Sequence, residues 1–321
     1  MRIHYHAGMA QFDLPAAVAG LEDVEVRIFA SAAELAVSAG EADALFLTVA
    51  GYTEAVAAAA RAPGSRVRWI QFLSAGYETA ERHGVPDGCR VSNASSVWAP
   101  TVAEHGVSLL LALNRQVQEL ERHRAVKRWE RAAIAPKLRS LEGARVGILG
   151  YGTIGREMAV RLRGFGPSLH GIARTPGVPA ELDSMHPPSE LSALAGSLDV
   201  LMSAIPLSAQ TRHIVNAAVL SRLPAHAVIV NVGRGQTIDE AALTRHLAEG
   251  KLAGAALDVF ETEPLPQDSA LWALPNVILS PHMAVLGSAA AWRRMAGMCR
   301  GNVGRFREGG ALENEVSVLL F

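Results

Sequence analysis

The residues best equipped for chemistry lie in the second half of the chain. Gly150-Tyr151-Gly152-Thr153-Ile154-Gly155 follows the apolar run 146–149 and precedes a stretch of helical period over 156–163. Between a strand and a helix, glycines at this spacing permit a tight turn, close approach of backbone to a pyrophosphate, and close packing of helix on strand. Gly150, Tyr151, Gly152, Thr153, Ile154 and Gly155 are therefore candidate dinucleotide ligands. A phosphate-cradling P-loop would need Lys and then Ser or Thr after the last glycine, where this chain has Arg156 and Glu157. The carboxylate that would grip the ribose 2′-hydroxyl of NAD belongs about 20 residues further on, at the end of the second strand. The chain reads Gly171-Ile172-Ala173-Arg174-Thr175-Pro176 there, with a guanidinium and a hydroxyl instead. A guanidinium pairs with a 2′-phosphate and stacks on adenine, so Arg174 and Thr175 join the candidate cofactor residues. NADP(H) is favoured on this basis, with NAD(H) possible.

Three further features sit where apolar runs end, which is where open α/β sheets bind ligands. Arg234 stands between Gly233 and Gly235 after the run 228–232. On such a turn its fork can hold a carboxylate and polarise an adjacent ketone. Glu261 and Glu263 follow the run 253–259, and His282 follows the run 277–280. Singly, each is ordinary, because acidic loops and strand-end histidines usually face water or satisfy a backbone group. Together they supply what reduction of a 2-oxo acid requires: a cation for the carboxylate, a proton donor for the nascent alkoxide, and an anion beside that donor. A carboxylate next to His282 favours imidazolium and raises its pKa. Spacing leaves Glu261 and Glu263 both open for that part.

Holding these groups in place takes two α/β units. A chain of 321 residues exceeds the usual single core, and short apolar runs alternate with Ala-rich helical stretches along most of it. The first series predicts strands over 3–6, 25–29, 44–49, 68–73 and 90–92, with a helix over 31–39. A connecting helix runs from 101 to about 118 and leads into a charged arm over 119–131. The second series predicts strands over 145–149, 169–172, 200–204, 228–232, 253–259 and 277–280, with a helix over 239–249. This is the pattern of a doubly wound unit. A last helix over 289–307 ends in a tail expected to return to the first unit. The fold class is thus α/β with two Rossmann-like or flavodoxin-like domains. Residues 1–98 with 285–321 form a discontinuous catalytic, substrate-binding domain, and 99–284 the NAD(P)-binding domain.

Charged residues make up 19% of the chain and the formal net charge is -1, so neither a nucleic-acid backbone nor an anionic membrane surface finds an electrostatic footprint. The greasiest stretch, 107–113, falls far short of the roughly 20 residues that cross a bilayer. The N-terminal residues enter a strand pattern without the apolar run of a signal peptide, which points to the cytoplasm. Cys89 and Cys299 lie far apart, which suits a reducing compartment with both thiols buried. His4 and His6 share a strand face but have no third ligand spaced to match, so a structural role outweighs a metal pair. Tyr52 and Trp98 fall on loops where packing explains them as well as a pocket would. Arg122, Arg124, Lys127, Arg128 and Arg131 alternate with Glu119, Glu121 and Glu130, as on a solvated or dimer-facing surface.

Taken in order, Phe72-Leu73-Ser74-Ala75-Gly76, Val102-Ala103-Glu104-His105, the glycine motif, Ile205-Pro206-Leu207, Asn231-Val232-Gly233-Arg234-Gly235, Leu257-Asp258-Val259-Phe260, Glu263-Pro264-Leu265-Pro266 and Ser280-Pro281-His282 span nearly the whole chain. This series resembles the D-isomer-specific 2-hydroxyacid dehydrogenase family, which includes glyoxylate and hydroxypyruvate reductases and phosphoglycerate dehydrogenases. The resemblance implies Arg234 as the substrate-binding and polarising residue, Glu263 as partner of the acid, and His282 as acid/base. It implies Pro206 beside the cofactor, Asp258 on the nicotinamide carboxamide, and the backbone of Ser74, Ala75 and Gly76 on the substrate carboxylate. It also implies a homodimer built through the arm after Thr101, and a small 2-oxo or 2-hydroxy acid as substrate. Ala173 stands where NAD-preferring members place Asp, which again favours NADP(H). Met283-Ala284-Val285-Leu286 is bulkier than the small-residue run common in the family. The competing reading is a nucleotide-sensing protein of the same fold with little turnover, like the corepressors called C-terminal-binding proteins.

Overall fold

Strands that read as unbroken apolar runs must be covered on both faces, and that requirement shapes both halves of the chain. The computed structural model describes residues 1–9, 11–174 and 177–318. The chain divides into two compact units, Met1–Trp98 with Gly287–Phe321, and Ala99–Leu286. In the first, β1 (Arg2–His6), β2 (Glu25–Phe29), β3 (Ala44–Leu47), β4 (Trp69–Phe72) and β5 (Arg90–Ser92) pair in parallel in the order β5-β4-β3-β1-β2. Every residue of β3 and β4 is buried. Gln71, inside β4, is the polar exception and is fully satisfied. Its Oε1 accepts from Ser92 Oγ at 2.7 Å and from Asn302 Nδ2 at 3.1 Å, while its Nε2 donates to Phe72 O at 2.9 Å. Asn302 belongs to the helix Ala289–Arg307, which this network ties to the sheet.

The second unit holds β6 (Arg145–Leu149), β7 (Ser168–Ile172), β8 (Ser184–His186), β9 (Val200–Ser203), β10 (Val228–Asn231), β11 (Gly254–Leu257) and β12 (Val277–Leu279). They form a seven-stranded parallel sheet in the order β12-β11-β10-β9-β6-β7-β8. The order reverses at β6, so its C-terminal end and that of β9 flank a switch point, the usual ligand site of such a sheet.

The architecture departs from the sequence reading in four places. β8 was not expected, because Ser184-Met185-His186 is half-exposed and carries no apolar run; its edge position is held instead by hydrogen bonds of Ser184 Oγ with His170 Nδ1 at 2.7 Å and His186 Nε2 at 2.8 Å. The returning tail forms β13 (Glu315–Val316), antiparallel to β5, and makes the first sheet six-stranded. The connecting helix spans Ser95–Asn114, starting earlier than 101 despite Pro100, because Val97, Trp98 and Ala99 are each buried to within 2%. It stops at Asn114 because Gln116 adopts a left-handed φ of +55°, and a second helix, Val117–Ala125, opens the arm. Finally, β11 ends at Leu257 and β12 at Leu279, which leaves Asp258 and Ser280 in loops where their side chains bind loop groups. Among the described residues no helix is long and apolar enough to cross a membrane.

Candidate active site

The turn after β6 is built by close backbone contacts. Gly150 has φ +91°, and a Cβ there would lie 2.7 Å from the Ile205 backbone beyond β9. A Cβ on Gly155 would come within 2.2 Å of Gly150 O, so this glycine lets the helix Thr153–Leu162 seat against the turn. Gly152 differs: a Cβ built there meets no atom within 4 Å. It is the N-cap of that helix, and among the described residues no side chain caps the first turn, so the N–H groups there have no side-chain partner. Donors at a helix N-terminus under a clearance of this kind fit a dinucleotide pyrophosphate.

Tyr151 turns its side chain aside. Its hydroxyl donates to Glu181 Oε2 at 3.4 Å, Arg156 Nη2 donates to Glu181 Oε1 at 2.9 Å, and burial pushes the phenol up to about 12. Glu181 is a carboxylate that the strand-end reading did not include, since it lies past the end of β7 in a segment without a motif. Arg174, just past that end, is exposed, and Thr175 lies outside the described residues. Pro206 is exposed beyond β9, its carbonyl accepting from Thr211 Oγ1 at 2.7 Å.

The choice that spacing left open between two glutamates is resolved by geometry. His282 Nδ1 lies 2.6 Å from Glu263 Oε2, whereas Glu261 Oε1 lies 2.6 Å from His213 Nε2. The other Glu263 oxygen accepts from Phe260 N–H at 3.0 Å, which fixes the carboxylate plane. Burial pushes Glu263 up, but hydrogen bonds from His282 and Phe260 and the charges of His282 and Arg234 outweigh it, and the carboxyl sits below its ordinary value. His282 is raised above the ordinary histidine value, chiefly by its hydrogen bond to Glu263, against burial and the Arg234 charge. Arg234 is half-buried on its turn, with Nη1 donating to Gly233 O at 2.8 Å. Its neighbour Gly235 leaves no room for a side chain, since a Cβ there would lie 1.9 Å from the Phe260 carbonyl carbon. The turn after β10 is thereby pressed onto the loop after β11.

Asp258 is 1% exposed, and it binds the segment that carries His282. Its carbonyl accepts from His282 N–H at 2.9 Å, Oδ1 from Met283 N–H at 3.0 Å, and Oδ2 from Ala284 N–H at 3.1 Å. His105, to which sequence reasoning gave no role, reaches Ser280 Oγ at 3.0 Å and Asp258 Oδ1 at 3.3 Å. It lies on a helix remote in sequence; its segment, Val102 to His105, is part of the family resemblance, but nothing in its spacing points to Asp258.

Ser74, Ala75 and Gly76 belong to the other unit, in the loop after β4. Their carbonyls accept from Ala94 N–H at 2.9 Å, Asn93 Nδ2 at 3.0 Å and Ser74 Oγ at 3.0 Å respectively. Among the described residues their own N–H groups donate to no acceptor, which leaves three amides for an anion. Among the described residues, His4 Nδ1 and His6 Nδ1 are buried with no hydrogen-bond partner, and no group of three metal-ligating side chains occurs.

A parallel sheet with a phosphate-fitting turn at its first crossover places the second unit among the nucleotide-binding domains of oxidoreductases. The chain belongs to the D-isomer-specific 2-hydroxyacid dehydrogenase family: the family model described as its NAD binding domain matches residues 107–284. The chain is 37% identical over 217 residues to a glyoxylate/hydroxypyruvate reductase A of Arabidopsis thaliana, a match covering 67% of each chain. A family member from Aeromonas salmonicida superposes with a TM-score of 0.85 at 26% identity, covering 99% of both chains. Another, from Xanthobacter autotrophicus and solved in complex with NADPH and MES, gives a TM-score of 0.82 at 28% identity over 98% of this chain and 97% of that one.

Proposed function

We propose that this protein reduces a small 2-oxo acid to the D-2-hydroxy acid, with His282 as proton donor. The observation that carries the reading is the 2.6 Å contact of Glu263 with the Nδ1 of His282, which leaves Nε2 at the tip of the ring. When bound, the reduced nicotinamide dinucleotide supplies the hydride. Gly150 to Gly155, Arg174, Thr175, Pro206 and Asp258 are the residues that would hold it. Glu263 orients the imidazole and, by favouring its charged form, strengthens the hold of the ring on the Nε2 proton. That proton passes to the substrate oxygen as the carbonyl becomes an alcohol. The Arg234 guanidinium suits the substrate carboxylate and polarises the carbonyl beside it. The unused amides of Ser74, Ala75 and Gly76 suit a carboxylate, and residues 1–98 with 285–321 are read as the substrate domain and 99–284 as the cofactor domain.

NADP(H) is the preferred cofactor in this reading, supported by exposed Arg174 and by Ala173 in place of an acidic residue. Glu181 does not oppose it, since its oxygens are engaged by Arg156 and Tyr151. A homodimer through the arm is supported by Trp129, which is 96% exposed, with Val126 63% exposed beside it. Nothing among the relatives favours the nucleotide-sensing alternative.

The test is consumption of NADPH and NADH, followed by nicotinamide absorbance, with glyoxylate, hydroxypyruvate and bulkier 2-oxo acids. Turnover with NADPH as the better cofactor is expected; no turnover of any 2-oxo acid with either would overturn the reading. Arg174→Ala is expected to raise the KM for NADPH on the order of tenfold by loss of a charge-assisted contact, and to leave that for NADH nearly unchanged. Equal effects on both would remove the cofactor assignment.

A further inference from the structure

Three consecutive backbone N–H groups reach Asp258: that of His282 donates to its backbone carbonyl, shared with Ser280 O, and those of Met283 and Ala284 donate to its carboxylate. This clamp holds His282 at φ +50°, a left-handed conformation that residues other than glycine seldom adopt, so the backbone there needs an external restraint. A buried carboxylate serves as such a restraint only while its remaining lone pairs and its charge are met. Ser280 and His105 do this at Oδ1. Ser280 Oγ donates to Asp258 Oδ1 at 2.5 Å, which spends the hydroxyl proton, so toward His105 the same oxygen is an acceptor. His105 Nε2 therefore faces two acceptors, Ser280 Oγ at 3.0 Å and Asp258 Oδ1 at 3.3 Å, and must itself carry a hydrogen. This assignment holds whether the ring is neutral or charged. Burial pushes Asp258 up, yet hydrogen bonds from His105, Ser280, Met283 and Ala284 more than offset it, and the carboxyl stays below its ordinary value.

We propose that His105 is a positioning residue: by donating Nε2–H to Ser280 and Asp258 it holds the carboxylate that binds the backbone of Met283 and Ala284, directly after His282, and so sets where the His282 imidazole stands. The proposal rests on the reading of His282 as the acid. The groups acting on His282 are Glu263 from the loop after β11, Arg234 from the turn after β10 and Asp258 beneath its own backbone, with His105 behind Asp258 on the helix Ser95–Asn114. Without His105 the clamp loosens and the ring moves off Glu263. The largest contribution to its raised proton affinity weakens with that movement. A side chain that merely fills space would have no such effect, and leucine fills nearly the same space without a donor.

The experiment compares His105→Leu with His105→Gln, which restores an N–H donor. Two readouts are used: steady-state reduction of a 2-oxo acid, and titration of the His282 ring by NMR in the protein without substrate. His105→Leu is expected to lower kcat on the order of ten- to a hundredfold, the usual consequence of a slightly misplaced catalytic group, with the 2-oxo acid KM little changed. The His282 midpoint is expected to fall toward the ordinary histidine value, and His105→Gln to restore most of both quantities. A wild-type kcat and midpoint in His105→Leu would overturn the proposal. So would a glutamine variant as impaired as the leucine one, or a leucine variant altered only in its KM for the dinucleotide. If His105→Leu does not fold, Ser280→Ala removes the bridging hydroxyl and must move the midpoint in the same direction; an unmoved midpoint overturns the idea. Should the wild-type protein reduce no 2-oxo acid at all, the functional reading fails, while the coupling of His105 to His282 is still read from the titration.

Discussion

Two histidine–glutamate pairs grow from one short loop of this molecule, and only one of them is proposed to act as an acid. His282–Glu263 and His213–Glu261 have the same 2.6 Å separation, and both histidines have φ +50°. The difference lies in which nitrogen is used and what stands around it. His213 is bound through Nε2, so its remaining nitrogen is Nδ1, close to its own backbone. His282 is bound through Nδ1, and its remaining nitrogen is the ring tip. Glu261 also accepts from Glu240 N–H at 3.3 Å, Glu240 accepts from Glu261 N–H at 3.0 Å, and Gln236 Nε2 donates to Glu261 O at 2.8 Å. That pair is a brace between the turn Gly235–Thr237, the helix Glu240–Ala248 and the loop after β11. Glu263 instead fixes an imidazole whose raised pKa also feels Arg234 and Asp258. Contact distance alone does not make an acid; the free nitrogen and the surrounding charges do.

The largest contrast is expected from His282→Asn, which should lower kcat by about 10² to 10⁴ with dinucleotide affinity, measured by fluorescence titration, nearly intact. A comparable loss in His213→Asn would break the comparison outright. Glu263→Gln should act through pH. Because His282 is raised, kcat/KM for 2-oxo acid reduction should stay level at low pH and fall only above the ordinary histidine value, as the ring loses its proton. In Glu263→Gln that fall should move to lower pH, and oxidation of the 2-hydroxy acid, which needs the neutral ring, should begin to rise at correspondingly lower pH. A pH profile in Glu263→Gln that coincides with the wild type would show that the pair does not set the proton affinity. The smallest effect is expected from Glu261→Gln, which should leave that profile in place and cost about 0.5 to 1 kcal/mol of stability, read as a lowered Tm. A displaced profile there would make the brace part of the chemistry.

Periodicity and spacing made several parts of this molecule legible in advance. The helix Ala289–Arg307 and the alternation of apolar runs with helical stretches follow from side-chain period, and the turn at Gly150 from glycines between a strand and a helix. Short edge strands did not show, because Ser184-Met185-His186 has no apolar run and Glu315–Val316 is too brief for a period. Nor did the early start of the helix at Ser95, where burial of Val97 and Trp98 overrides the proline. Within the candidate site, Arg234 and His282 were marked by their places after apolar runs.

The residue types available for acid–base chemistry, and the strand ends on which they sit, were determined by the sequence alone, since both follow from local pattern. Which glutamate meets His282, why Glu181 faces Tyr151, and how His105 comes to stand behind Asp258 were decided by the tertiary structure. Those pairings join segments that are distant in the chain or equivalent in spacing, and local pattern cannot choose among such partners; only the folded chain, in which Gly235 lets the turn after β10 press onto the loop after β11, brings them together.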